Sequence, residues 1–333
     1  MMRKILGPAL LALCAGPAMA QTSNPGGAIN DRLGEPDYGV CRGIDPQCFH
    51  DWARAPVKQY RVLLYTRTAG PRHANLGAPL GAGLNPQLGA DNVVQREMLR
   101  IAAENGWLID YTEDPAQMNN LSGYNAVIFL STSREALEDG GKTALRQYMR
   151  AGGGFVAIHN AFGTHYNWPW YEGLLGNANF FDHGPARDGD VVTLETKDAS
   201  TSGLPARWHF HDEWYNLIPF PTHVRFLATV DEKSWNPAQD RREMGPGAMP
   251  PGPRPANFPP MSRYPSVVGH DPGHGTFHPV AWCQYYDGGK VWATTLGHDA
   301  KAFEKDGEPG SKEFQAMIVG GIKSVMGAAP FCR

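Results

Sequence analysis

The sequence is short of charge, of cysteine and of long basic runs, and each shortage removes a class of function. Lys, Arg, Asp and Glu make up 19% of the 333 residues, and the formal net charge is −3. Without a basic stripe to neutralise phosphates, nucleic acid is excluded as a partner. The five cysteines include no Cys-x-x-Cys pair and no Cys/His spacing of a zinc finger. A Gly-x-Ser-x-Gly elbow is also missing, which removes the common serine-hydrolase arrangement. Long apolar runs are scarce too. The N-terminal one, Ile5 to Ala15, is too short to span a bilayer, so no membrane span is expected.

That run follows Arg3 and Lys4 and precedes Ala18-Met19-Ala20, the pattern of a secretory signal peptide over residues 1–20. It predicts a periplasmic or secreted protein. Four cysteines then remain. Cys41 and Cys48 bracket a short Pro-containing loop and are expected to pair, as export permits. Cys283 lies in the apolar run Val280 to Tyr286 and is expected as an unpaired core thiol. Residues 21–59 are rich in Gly and Pro, without periodicity, and read as a surface extension.

Order begins at Tyr60. Short apolar runs at Arg61–Thr66, Leu108–Tyr111, Ala126–Leu130 and Phe155–Ile158 have the character of buried parallel strands. Between them, Val94, Met98, Ile101 and Ala102 share one helical face, and a second helix is predicted over Lys142–Arg150. This rhythm predicts an α/β fold: a doubly wound sandwich around a mainly parallel sheet, one domain over residues 60–327. The second half reads as more strand-rich, with a hairpin at Asp287-Gly288-Gly289 and a closing helix over Lys312–Met326. Residues 236–275 hold ten prolines and no period, and read as an inserted loop, either a lid or surface decoration.

Ten of the twelve histidines fall between His159 and His298. The most informative segment is Gly152 to Asn160: a glycine turn, a short strand, and His159 where the strand ends. In open α/β sheets, ligands bind beyond the carboxyl ends of the strands. Arg72-His73 and Gly297-His298-Asp299 also follow strands, so His73, His159 and His298 can converge on one edge. In His209-Phe210-His211-Asp212-Glu213, alternation puts His209, His211 and Glu213 on one face, a candidate divalent-metal set. The same pattern on a polar edge strand needs no metal. Asp212 and Glu213 should diverge, one working at the site and the other orienting a loop or ring. Tyr166, Trp168, Trp170 and Tyr215 offer flat faces for sugar C–H patches, or ordinary core packing.

The ordered motifs Thr66 to His73, Gly152 to His159, Trp168-Pro169-Trp170-Tyr171, Asp212-Glu213-Trp214-Tyr215, His278 to Trp282 and Gly297-His298 resemble the trehalose-utilisation (ThuA-like) family. The resemblance implies a flavodoxin-like fold similar to class I glutamine amidotransferases, and a link to sugar catabolism. In those amidotransferases the strand-to-helix elbow carries a catalytic cysteine. Here His159 stands there, so glutaminase chemistry is not expected. His183 is followed by Gly184 rather than directly by proline, a departure from the family pattern.

The expected function is therefore exported carbohydrate processing, on a glycoside or an oxidised (keto) sugar. His159, Asp212, Glu213 and His298 would carry acid–base catalysis, with or without a divalent metal. Arg72, His73, Tyr166, Trp168, Trp170 and Tyr215 would bind the sugar. The competing class is a non-catalytic sugar-binding protein. Nothing in the pattern decides between a monomer and a homo-oligomer.

Overall fold

The computed structural model describes residues 39–52, 58–235 and 273–333. The expected signal peptide, residues 21–38 of the extension and residues 236–272 of the insertion lie outside the described residues. The first half contains β1 (Arg42–Gly43), β2 (Arg61–Tyr65), α1 (Val93–Glu104), β3 (Leu108–Thr112), β4 (Ala126–Leu130), α2 (Asp139–Arg150) and β5 (Gly154–Ile158). The chain continues through α3 (Pro169–Leu174), β6 (Phe180–His183), β7 (Arg187–Thr193), β8 (Arg207–Asp212), β9 (Tyr215–Leu217) and β10 (Arg225–Asp231). It closes with β11 (His278–Tyr286), β12 (Gly289–Thr294) and α4 (Ser311–Met326).

One large sheet runs in the order β3-β2-β4-β5-β12-β11-β10-β7-β8, with β1 added beside β11. The first five strands are parallel, and from β12 onward each neighbour is antiparallel. Renumbered within the parallel part, the order is the flavodoxin-like 2-1-3-4-5. Strand residues alternate between two buried layers. Val62, Leu64, Ile128 and Val156 face α1 and α4, while Leu63, Val127, Phe129 and Phe155 face α2 and α3. Burial on both faces is why these strands read as continuous apolar runs rather than alternating ones. Among the described residues no helix is long and apolar enough to cross a membrane.

Strand direction fixes where the functional edge lies. Four antiparallel steps separate β12 from β8, so β8 runs the same way as the parallel strands. Its carboxyl end, Asp212, therefore emerges on the same edge as the ends of β2, β4, β5 and β12. The outer ribbon folds over α4, where the Phe210 and Phe314 rings stack 5.5 Å apart. That curl brings Asp212 back to the turn after β12.

The Cys41–Cys48 bridge is present, with Cα atoms 5.2 Å apart. The expectation of an unpaired Cys283 is corrected: it pairs with Cys332, Cα to Cα 5.6 Å. The cause is the tail. Gly327, at φ +83, ends α4 and turns the chain back, and Phe331 packs on Tyr285 at 4.9 Å, which lays Cys332 over β11.

Candidate active site at the strand ends

His159 follows β5 with φ +54, a left-handed conformation uncommon for any residue but glycine, asparagine or aspartate. The kink ends the strand at once and aims a fully buried imidazole at the sheet edge. Its Nδ1 lies 2.9 Å from the Thr295 carbonyl. A carbonyl only accepts, so Nδ1 carries the proton and Nε2 presents a lone pair. Three groups crowd that nitrogen: the Tyr215 hydroxyl at 2.8 Å, His73 Nε2 at 3.1 Å and Glu213 Oε2 at 3.8 Å. Burial, reinforced by His73 and His298, holds the His159 pKa well below the ordinary histidine value. Burial likewise lowers His73 to about 4. Both rings are neutral near pH 7, the state that binds a cation.

Glu213 and His298 complete the group. Burial opposes the charge on both, yet their mutual attraction prevails: Glu213 is held below the usual carboxylate range and His298 above the usual histidine range. His298 Nδ1 and Glu213 Oε2 are 3.1 Å apart, although Nδ1 lacks hydrogen-bond alignment. One ligand atom from each of His73, His159, Glu213 and His298 lies within 4.8 Å of all the others.

Asp212 acts through its neighbours. Its buried carboxylate accepts from the Gly297 amide at 2.7 Å and the His298 amide at 3.2 Å. Gly297 sits at φ +115 against the rings of Phe303 and Phe314, so the turn presenting His298 requires glycine. Burial pushes Asp212 up to about 7, against the pull of the Gly297 amide. Asn75 ties two loops of the site together, donating to the Gly297 and His298 carbonyls at 3.2 and 2.7 Å. Asp212→Asn should loosen this turn. Should the four donors take up a divalent ion, its affinity is expected to fall by about 10–100-fold on this substitution, with the fold retained. Calorimetric titration with Zn2+ checks it, and unchanged affinity would remove Asp212 from the site.

The remaining sequence candidates divide. Tyr215 belongs to the group, its ring 4.6 Å from His159. Arg72 does not stand ready for substrate. Its guanidinium is occupied by Glu113 at 2.9 Å and by the carbonyls of Leu76, Gly77 and Ala78, which brace the loop carrying His73. Trp170 is a core residue, its indole donating to Asp287 at 2.9 Å, and Trp168 stacks on it at 5.0 Å. Tyr166 donates to the Phe180 carbonyl. The set His209, His211 and Glu213 is split. Alternation holds along β8, but the strand ends at Asp212, and Glu213 turns into the site while both histidines face outward. Two residues were missed: Asn75, which carries no motif, and His183. β6 pairs with β9 so that His183 lies opposite Tyr215, with Nε2 3.6 Å from Glu213 Oε2.

Since Arg72 is a brace, Arg72→Lys keeps the charge but loses most of the fork of hydrogen bonds. It should lower unfolding free energy by about 1–3 kcal/mol. Ligand affinity at the site should hardly move. Urea denaturation beside a sugar-binding titration separates the two effects, and intact stability with lost sugar binding would return Arg72 to the substrate.

A flavodoxin-like α/β sheet, with His159 in a left-handed turn at the carboxyl end of β5, is the class of fold in which this site is built. The chain belongs to the ThuA family, described as trehalose utilisation, which it matches over residues 61–324. Two solved structures described as ThuA-like share the fold. That from Bacteroides uniformis is 18% identical with TM-score 0.53, covering 82% of this chain and 94% of its own. That from Parabacteroides merdae is 15% identical with TM-score 0.53, covering 81% and 91%. No curated protein matches the chain.

Proposed function

We propose that this protein processes a carbohydrate, a glycoside or an oxidised (keto) sugar, at the strand-end centre, with a divalent ion held by His73, His159, Glu213 and His298. The observation that carries the reading is the convergence of these four donors within 4.8 Å of one another. Three of their six spacings, His159–His73 at 3.1 Å, His159–Glu213 at 3.8 Å and His298–Glu213 at 3.1 Å, bracket the roughly 3.3 Å between neighbouring ligands of a tetrahedral ion with bonds near 2 Å. The fixed Nδ1–H of His159 on a carbonyl is the usual outer partner of a metal-binding imidazole. Family membership supports the sugar.

A divalent ion there supplies a Lewis acid for a sugar carbonyl or hydroxyl oxygen. The protein's own groups do the rest. Tyr215 donates to His159 Nε2 and is positioned to hand that hydrogen bond to a substrate oxygen. His183 lies at the rim, about one third exposed, with Nε2 3.6 Å from Glu213 Oε2. Its ring lies nearly parallel to that of Tyr215, 5.7 Å away, which leads from the open rim to the sealed His159. Export fits this reading, because the four cysteines beyond the leader form two disulfides.

The test is a screen of the purified mature protein against disaccharides and 3-keto-glycosides, metal-loaded and chelator-stripped. Turnover lost on stripping and restored by Zn2+ or Mn2+ is the expected result. Sugar binding without turnover in either state would replace the enzyme by a binding protein. A chain that takes up neither sugar nor metal would end the proposal.

A further inference from the structure

The sheet edge opposite the strand-end centre holds a cavity of about 570 Å3 that the proposed chemistry does not use. Arg61 opens β2 there and Leu108 opens β3, while Ala144 and Gln147 reach it from α2. Strands of five residues, rising about 3.3 Å each, put roughly 16 Å between this edge and the one where His159 stands. The volume falls within the roughly 300–1,000 Å3 of small-molecule sites.

The lining is neutral and rich in amides. Gln59, Asn119 and Gln147 all line the cavity, and none of their side chains makes a hydrogen bond among the described residues. Each amide brings one acceptor and two donors. Arg61 is the one charged residue of the described lining, and Asp110 neutralises it at 2.6 Å. A charged ligand therefore finds no free counter-charge. The described lining also offers no carboxylate, imidazole or thiol to serve as a general base. Leu108, 47% exposed, and the half-buried Tyr124 add apolar surface beside the amides. A peptide would need the free edge of β3, and there Asn85 already bonds the Tyr111 amide and carbonyl, both at 2.9 Å.

We propose that this cavity binds a neutral carbohydrate without transforming it. Sugar hydroxyls both donate and accept, which matches the uncommitted amides, and the C–H faces of a sugar ring match Leu108 and Tyr124. The cavity shares no residue with the strand-end centre, and its reading does not depend on what that centre does.

The test follows the side-chain amide NMR signals of Gln59, Asn119 and Gln147 during titration with trehalose, with maltotriose and, for contrast, with trialanine. The proteins are wild type, His159→Ala, Gln59→Ala/Gln147→Ala and Ala144→Trp. Both glutamines are exposed, so their replacement should leave the far-ultraviolet spectrum unchanged. The expected result is that at least one sugar shifts these signals, with the same affinity in wild type and His159→Ala. Read from Asn119, loss of both glutamines should weaken that binding about tenfold. Ala144→Trp, which fills the cavity, should abolish it. Signals moved by neither sugar, or by trialanine alone, would overturn the inference. So would a sugar affinity at Asn119 that neither cavity variant changes. Sugar bound here without turnover would keep this site and remove the proposed chemistry, whereas turnover with these signals unmoved would remove this site alone.

Discussion

His159→Ala is expected to abolish turnover, and no other single replacement should cost as much. It removes the wholly buried imidazole, fixed through Thr295, of the proposed centre. Loss of an outer-shell partner costs up to about 100-fold in metal affinity, and loss of this ligand should exceed that. Removal of positioned acid–base chemistry alone lowers rates by roughly 10^2 to 10^4. The fold should survive, because β5 is anchored by Phe155, Val156 and Ile158 inside both layers. Circular dichroism and metal content measured on the same sample decide the matter. A folded His159→Ala protein that keeps both its metal and its activity would move the chemistry elsewhere in the chain.

The largest effect on stability is expected from opening the Cys283–Cys332 bridge. The bonded residues are 49 apart, against 7 for Cys41–Cys48. Restricting the unfolded chain over the longer loop contributes about 4 kcal/mol, and over the shorter about 2–3 kcal/mol. Cys332→Ala should therefore lower the melting temperature by roughly 10 °C. Cys41→Ala should do less. Chemical denaturation with unchanged slope and a lower midpoint is the signature to look for. A midpoint shifted more by Cys41→Ala would show that tail docking, rather than the cross-link, governs this end of the molecule.

Much of this architecture was legible because it rests on local physics. A strand buried on both faces must be an apolar run, a helix on a sheet must show its stripe, and Gly152 at φ +97 marks where α2 stops before β5. His159 was legible for the same reason, as a polar residue closing an apolar strand. What failed depended on three-dimensional closure. Period-two alternation placed Glu213 with His209 and His211, and nothing in the sequence announces that β8 ends one residue earlier. Arg72 beside His73 looked like a substrate clamp, yet its partner Glu113 lies across the β2–β3 pair. Trp170 needed Asp287, and Cys283 needed a tail that turns back after Gly327. The glycine after His183 departs from the family pattern, yet the place of His183 is fixed by pairing with Tyr215 on a separate small sheet.

The left-handed backbone at His159 has a consequence for how this position tolerates change. L-residues in that conformation carry about 1–3 kcal/mol of strain, least for asparagine and most for β-branched side chains, whereas glycine, without a Cβ, is free of it. A library covering all twenty residues at 159 should thus sort in two unrelated orders. Ranked by thermal stability, Gly and Asn should lie near the top and Val, Ile and Thr near the bottom. Ranked by metal retention, histidine should stand alone. Selection for robustness by itself should thus drive histidine out of position 159, and selection for metal retention should bring it back.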